Sequence, residues 1–154
     1  MASAFRHRNL PHLLLRARET LMARFRPILR EHGITEQQWR VLRTLNDMGD
    51  MEPNQLADAC LILSPSLTRM LATMERSEMI DRRRSSVDQR RQVISLTPKS
   101  REFLANVEPL VEAEYARIEA QLGRARLDAL YVAIDESIHV METHAPLSPF
   151  TGDD

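Results

Sequence analysis

The chain has 154 residues, with 21 basic and 22 acidic side chains and a formal net charge of −1. A chain of this size can bury a core without disulfides, and its single cysteine excludes an internal disulfide framework and favours a reducing, cytoplasmic compartment. Four glycines and no apolar run of about 20 residues disfavour glycine-rich phosphate loops and a membrane span. The composition therefore predicts a helical protein with no membrane partner.

The charge is unevenly distributed along the chain. Residues 1–43 carry nine arginines against three acidic residues, and residues 64–101 carry nine basic against four acidic residues. Residues 44–63 have four acids and no base, and residues 102–154 have eleven acids against three bases. Two basic blocks predict a polyanion partner, although a solvated charged surface or a genomic bias toward arginine also explains them.

Helical spacing of apolar residues predicts the first two helices. The first covers residues 12–32, and Pro27 inside it predicts a kink or a break. Its inward face is formed by Leu14, Ala17, Leu21, Phe25 and Ile28. A capping box of Thr35 and Gln38 starts the second helix, whose inward residues are Trp39, Leu42 and Leu45.

The next segment has the pattern of a helix-turn-helix. A turn at residues 48–51 precedes a short helix, Pro53 to Cys60, and three residues then lead to Ser64, which we expect to be the N-cap of the following helix. That helix has two faces. Leu67, Met70, Leu71 and Met74 form the apolar face, and Ser66, Thr68, Arg69, Thr73 and Arg76 form the polar face. This outline is typical of DNA-binding proteins.

Two short strands follow, Ile80 to Arg84 and Gln92 to Leu96, joined by a polar and basic connection. A hairpin directly after a recognition-type helix predicts a wing. Thr97 and Pro98 then cap a long helix that extends to about Leu122, with Leu104, Val107, Val111, Tyr115 and Ile118 along one stripe. A final helix covers about Arg124 to Thr143, with Leu127, Leu130, Tyr131, Ile134, Ile138 and Met141 along one stripe.

The predicted fold is mainly α: a winged helix-turn-helix with long flanking helices that form a two-fold dimer. Residues 35–96 are the expected DNA-binding domain, residues 10–34 and 97–143 the dimerisation helices, and residues 144–154 a mobile tail. A single copy would leave much of the apolar stripes in water, which favours pairing with a second copy. The alternative is that the long helices form a bundle within one chain.

The wing sequence resembles that of a known family. Residues 88–97, Asp-Gln-Arg-Arg-Gln-Val-Ile-Ser-Leu-Thr, are similar to the Asp-x-Arg…Leu-Thr signature of the MarR family of bacterial winged-helix regulators. The resemblance covers about residues 10–143. Residues 17–19, 25–28, 35–41 and 65–68 are most similar to the homoprotocatechuate-operon regulator (HpaR-like) branch. The resemblance implies a repressor of genes for aromatic-acid breakdown that leaves DNA when such an acid binds.

The expected DNA contacts lie on the second helix of the helix-turn-helix and on the wing. Hydroxyl groups can contact phosphates or bases, and an arginine can bind guanine through two hydrogen bonds. We expect Arg90 or Arg91 to enter the minor groove, with Asp88 positioning one of them through an ion pair. The full predicted set is Ser64, Ser66, Thr68, Arg69, Thr73, Arg82, Arg84, Asp88, Arg90 and Arg91. In a dimer these residues would read a pseudo-palindromic operator in double-stranded DNA.

The family resemblance also implies a site for a small aromatic carboxylate between the dimer helices and the winged unit. Such a ligand needs a cation for its carboxylate and an apolar slot for its ring. The predicted set is His12, Arg18, Met22, Trp39, Arg40 and Arg43. For Trp39, core packing is the alternative role.

Other functions have weaker support in the sequence. Cys60 has apolar neighbours, which favours packing over redox sensing. The five histidines lack metal-ligand spacing, and the motif inventory of an enzyme is missing, so we expect no metal, no cofactor and no catalysis. A helical adaptor that binds only other proteins would not need the polar helix face or the basic hairpin.

Overall fold

The computed structural model describes residues 5–144. The order of elements is α1 (Leu10–Glu31), α2 (Glu36–Met48), α3 (Pro53–Cys60), α4 (Ser64–Arg76), β1 (Ile80–Arg84), β2 (Gln92–Leu96), α5 (Pro98–Leu122) and α6 (Arg124–His144). The mainly helical fold with one hairpin is confirmed. The tail expected to be mobile lies, from residue 145 onward, outside the described residues. Within residues 5–144, no helix has the length and apolar character that a membrane span needs.

Helix α1 is continuous through Pro27, so of the predicted kink or break the break does not occur. Proline removes one backbone donor, which costs stability but does not force an end when packing holds both sides. Phe25 before it and Leu29 after it are both buried, and they fix the two halves against the rest of the chain. At the N-terminal end, the side chain of Asn9 accepts a hydrogen bond from the backbone N–H of His12.

The helix-turn-helix packs around one apolar core. The predicted capping box at Thr35 is confirmed, as are the bounds of α3 and of both strands. Ser64, however, is the first residue of α4, and Leu63 is its N-cap. The chain leaves α3 through Leu61 in the left-handed conformation (φ 51°), and this tight exit brings Ser64 one position further into the helix than expected. The core includes Leu42, Leu45, Leu56, Leu67, Leu71 and Ile94.

The wing consists of β1, β2 and the connection at residues 85–91. The strands are antiparallel, with Ile80 opposite Leu96 and Arg84 opposite Gln92. Met51, in the linker between α2 and α3, forms a backbone bridge to Ile94 on β2. The wing is therefore attached to the helix-turn-helix by hydrogen bonds as well as by the chain.

A second, smaller core forms where α1 crosses α5, around Phe25, Val107, Val111 and Ile118. Trp39 packs against both cores. Helix α6 has no buried residue, and its predicted apolar stripe is exposed apart from the half-buried Leu127, with Ile138 45% and Met141 61% accessible. An intramolecular bundle would bury this stripe, so residues 5–144 of one chain do not form such a bundle around α6.

Candidate DNA-binding and effector sites

The polar face of α4, the recognition helix, presents its predicted contacts to solvent. Thr68, Arg69 and Thr73 are exposed. The Thr68 hydroxyl donates to the Ser64 carbonyl at 2.9 Å and the Thr73 hydroxyl to the Arg69 carbonyl at 3.3 Å. Among residues 5–144 the guanidinium of Arg69 has no hydrogen bond or ion pair, and the Ser64 and Ser66 hydroxyls have none either. Arg69 is therefore the cation of this face that is free to contact a base or phosphate.

The wing arginines fall into two groups. Arg82 donates to Gln92 at 3.1 Å and pairs with Glu75 at 3.3 Å, and Arg91 pairs with Glu52 at 3.3 Å. The guanidinium groups of Arg84 and Arg90 have no partner in the described part of the chain. The structure thus separates Arg84 and Arg90, which are free, from two arginines that hold the wing in place.

Asp88 organises the tip of the wing. Its carboxylate accepts a hydrogen bond from the backbone N–H of Arg90 at 3.0 Å and lies 3.9 Å from the Arg91 guanidinium. The predicted ion pair therefore forms with Arg91, while Asp88 fixes Arg90 through its backbone. This arrangement leaves the side chain of Arg90 projecting from a turn whose shape is fixed.

Two acidic residues of the α2–α3 linker also contact the wing. Asp50 pairs with Arg83 at 2.5 Å, and Glu52 pairs with Arg91. Sequence reasoning missed both contacts because the partners are about 33 to 39 positions apart and no local pattern links them. A linker with acids on both sides of Met51, next to a net basic hairpin, was the available signal.

A cavity of about 550 Å³ lies between α1, α2, α5 and α6. Its walls include five of the six predicted effector residues: Arg18, Met22, Trp39, Arg40 and Arg43. The other walls are mostly apolar and come from Leu14, Ala17, Leu21, Phe25, Val111, Ile118, Leu127, Leu130 and Ile134, and the lining is completed by Glu36, Tyr115 and Tyr131. The structure does not bring His12 to the cavity, because His12 lies on the exposed first turn of α1, before the first wall residue, Leu14.

Glu36 is a cavity residue that sequence reasoning missed. Its carboxylate accepts a short hydrogen bond from Arg18 and contacts Arg26 at 3.2 Å and Arg40 at 3.5 Å. Burial disfavours the ionised carboxylate, but the hydrogen bonds and charges of Arg18 and Arg26 outweigh it, so the pKa of Glu36 is lowered. The cavity therefore already contains a carboxylate that occupies Arg18, one of the predicted effector cations.

Arg43 and Tyr115 line another part of the cavity wall. The Arg43 guanidinium lies 5.9 Å from the centre of the Trp39 ring and 3.2 Å from Asp47, in an exposed pair that contributes little stability. Burial raises the pKa of the Tyr115 hydroxyl, so it remains a hydrogen-bond donor at neutral pH. The Tyr115 ring packs on Phe25 with centroids 4.9 Å apart. Sequence reasoning assigned Tyr115 only to the apolar stripe of α5.

Replacing Glu36 by glutamine is expected to lower the free energy of unfolding at pH 7 by about 1 kcal/mol, because three partly exposed arginine contacts lose their counter-charge. Since the pKa of Glu36 is lower in the folded state, its contribution is complete above the ordinary value of 4.5 and is lost as the pH falls through the folded-state pKa. Urea unfolding at pH 7 and pH 3.5 should show a difference from wild type that shrinks at the lower pH. Glu31→Gln, an exposed acid on α1, is the control. A difference that grows at pH 3.5 would contradict the ion-pair explanation.

Cys60 is fully buried. Burial raises the pKa of its thiol, and its sulfur donates to Thr44 Oγ1 at 3.4 Å. A thiol that stays protonated and away from solvent is a poor redox sensor. In the described residues no group of histidine, cysteine or acidic side chains has the arrangement of a metal site.

A winged helix-turn-helix with free arginines on its recognition helix and wing defines a class, the DNA-binding transcription regulators. The MarR family model matches residues 34–91. The Escherichia coli homoprotocatechuate degradative operon repressor is 39% identical over 132 residues, which cover 86% of this chain and 89% of that protein. The chain belongs to the MarR family of transcriptional regulators, and its resemblance to the homoprotocatechuate-operon branch is confirmed.

Two solved structures extend the comparison. NadR in complex with 4-hydroxyphenylacetate aligns with a TM-score of 0.80 and 36% identity, covering 88% of this chain and 96% of NadR. The transcriptional repressor CouR bound to a 23-mer DNA duplex aligns with a TM-score of 0.75 and 28% identity, covering 84% of this chain and 92% of CouR.

Proposed function

We propose that the protein is a dimeric repressor of aromatic-acid catabolic genes that leaves its operator when a small hydroxylated aromatic carboxylate fills the cavity. The observation that carries this proposal is the cavity itself, whose lining combines apolar side chains with three arginines and two tyrosines. Pockets of this size and composition suit one small aromatic molecule. The similarity to NadR, crystallised with 4-hydroxyphenylacetate, supports the phenolic acid class, to which hydroxyphenylacetate and homoprotocatechuate both belong.

The polar groups of the cavity suit the two ends of such a ligand. Arg43 can release the exposed Asp47 and bind the carboxylate, with Tyr115 donating a further hydrogen bond. Glu36 can accept a hydrogen bond from a phenolic hydroxyl. Glu36 and Arg43 are seven residues apart on α2, which places them about 10 Å apart on one face of the helix. This separation suits substituents at opposite ends of one aromatic ring.

The second copy needed for the dimer is inferred from the unburied apolar surface. Helix α6 exposes Leu130, Tyr131, Ile134, Ile138 and Met141, and α1 exposes Leu10, Leu13, Leu14 and Leu15. Apolar surface of this extent on two long helices marks a protein interface. Because Leu14, Leu130 and Ile134 also line the cavity, the same interface would cover its open side. Occupancy of the cavity would then depend on how the two copies are spaced.

DNA binding would use the predicted residues of both copies. In a two-fold dimer the two recognition helices read half-sites about one helical turn apart, with each wing at the adjacent minor groove. Arg69 would supply base contacts in the major groove, and Arg84 and Arg90 would supply backbone or minor-groove contacts. Residues 35–96 would form the DNA-binding unit, and residues 10–34 and 97–143 the dimerisation helices.

The test uses 4-hydroxyphenylacetate as the probe. Because Trp39 is the single tryptophan and lines the cavity, we expect the acid to quench its fluorescence and to release an operator duplex selected by the protein from random DNA. The uncharged analogue 4-hydroxyphenylacetamide should bind at least about tenfold more weakly, because it lacks the charge that Arg43 recognises. If saturating hydroxylated phenylacetates, benzoates and nicotinates change neither the fluorescence nor the DNA complex, the proposal is wrong.

A further inference from the structure

Arg40 contacts both the cavity and the turn of the helix-turn-helix. One of its guanidinium nitrogens, Nη1, donates to the carbonyl of Cys60 at 2.9 Å and lies 3.5 Å from the carbonyl of Leu61. The other, Nη2, is 3.5 Å from the Glu36 carboxylate. Glu36 and Arg40 both line the cavity. A single side chain therefore joins the cavity wall to the chain segment that enters the recognition helix.

The carbonyls that Arg40 binds belong to the last residue of α3, Cys60, and to its C-cap, Leu61. The final carbonyls of a helix lack partners within the helix and carry partial negative charge, so a cation at this position is stabilising. Leu61 has a left-handed backbone (φ 51°) without being glycine, a conformation that surrounding contacts must maintain. Three residues later, Ser64 begins α4. The contacts of Arg40 thus help to set where the recognition helix starts.

The Glu36 end of this connection can respond to a ligand. Glu36 shares its two oxygens among Arg18, Arg26 and Arg40, so a ligand hydroxyl that binds this carboxylate competes with existing partners. A ligand shifts a conformational equilibrium only through contacts that differ between the two states. The contact between Glu36 and Arg40 would be of this kind if the ligand draws the carboxylate away from Arg40, because Glu36 lines the cavity and Arg40 binds the segment that enters the recognition helix.

We propose that Arg40 is the positioning residue that transmits occupancy of the cavity to the recognition helix, through Glu36 on one side and the Cys60 and Leu61 carbonyls on the other. The inference rests on the proposed aromatic-acid response and adds the route by which it reaches the DNA. It predicts that removing the Arg40 guanidinium reduces the effect of the bound acid on DNA affinity. A loss of affinity for the acid or for DNA alone would not be sufficient.

The experiment compares wild type with Arg40→Gln and a matched control, Arg26→Gln. Arg26 also binds Glu36, at 3.2 Å, but from α1, and its other ion pair among residues 5–144 is with Glu19 on the same helix, at 2.6 Å. Operator affinity is measured by fluorescence anisotropy without acid and with 4-hydroxyphenylacetate at saturation, established by Trp39 titration for each variant. The readout is the ratio of the two DNA dissociation constants. A variant that is only less stable has less active protein in both titrations, with and without the acid. The ratio of its two dissociation constants therefore does not change.

For wild type and Arg26→Gln we expect the acid to weaken operator binding by a factor within the usual allosteric range of about 5 to 150. For Arg40→Gln the ratio should fall to less than about one third of the wild-type value. An Arg40→Gln ratio equal to that of wild type, or an equal fall in Arg26→Gln, overturns the inference. If wild type itself neither binds the acid nor releases DNA, the proposed aromatic-acid response fails instead.

A double-mutant cycle tests the connection without any acid. Operator affinities of Glu36→Gln, Arg40→Gln and the double variant should be non-additive, because the two residues act through one contact. Additive effects of the two substitutions on operator affinity would show that the pair does not act as a unit and would overturn the proposed route. Because the cycle uses DNA alone, it gives an answer even where the effector has been misidentified.

Discussion

Replacing Ile138 by glutamate is expected to convert the protein into monomers and to weaken operator binding by about 10²- to 10⁴-fold. Ile138 is 45% exposed on α6 and belongs to an apolar stripe of which no residue is buried within residues 5–144. In a two-fold interface the substitution occurs twice, and each copy would bury a carboxylate in an apolar contact, which costs several kcal/mol. The expected loss of affinity is the avidity gained when two linked half-sites bind together.

The measurement combines sedimentation analysis of the oligomeric state with an operator titration. Ala129→Glu is the matched control, since it adds the same charged side chain to an exposed position of α6 nine residues away, on the opposite side of the helix. It should remain dimeric. Circular dichroism should be unchanged in both variants, because Ile138 contributes nothing to the core of the single chain. A dimeric Ile138→Glu protein with wild-type affinity would show that α6 does not form the interface.

The elements that local physics determines were predictable from the sequence. The bounds of α3 and of both strands were correct because Pro53, the three-residue connection after Cys60 and the basic hairpin are short-range signals. The Thr35 cap was correct for the same reason. The errors occurred where tertiary packing determines the local structure. Pro27 did not break α1, because buried residues on both sides hold the helix, and the N-cap of α4 is Leu63 and not Ser64.

The candidate sites were predictable only in part. Arg18, Arg40 and Arg43 were chosen from helical spacing and the family resemblance, and all three line the cavity. The role of Glu36 in the cavity was not predicted, because a single glutamate in the first turn of a helix is an ordinary feature. The position of Tyr115 in the cavity wall was not predicted, because its spacing matched the apolar stripe of α5. A pattern along one helix does not show which side chain of another helix it will meet.

The same limit applies to the wing. The sequence shows Arg82, Arg84, Arg90 and Arg91 as equivalent cations on one hairpin. The structure distinguishes them, because Arg82 and Arg91 are paired with Glu75 and Glu52, whereas Arg84 and Arg90 have no partner within residues 5–144. The distinction depends on the linker between α2 and α3, which reaches the wing only after the chain has folded.

Arg90→Ala is expected to weaken binding to operator and to unrelated DNA alike, by roughly 10- to 100-fold for each wing at low salt. Arg90 has a free guanidinium on a turn fixed by Asp88, and a charged hydrogen bond to phosphate contributes about 1.5–3 kcal/mol. Each wing that loses a phosphate contact releases about one counterion fewer, so the slope of log affinity against log salt should fall by about 1 per wing. Titrations over a range of salt concentrations measure both effects, and an unchanged slope would contradict the phosphate contact.

Arg91→Ala is the matched control, because it removes the same group from the next residue. The Arg91 side chain is 65% exposed to solvent. Its guanidinium nevertheless lies 3.3 Å from the Glu52 carboxylate and 3.9 Å from the Asp88 carboxylate. An arginine that already has two carboxylate partners must give them up to contact DNA, which offsets much of the gain. We therefore expect Arg91→Ala to change the salt slope by less than Arg90→Ala. Equal changes would mean that DNA draws Arg91 away from the linker and that both arginines enter the groove.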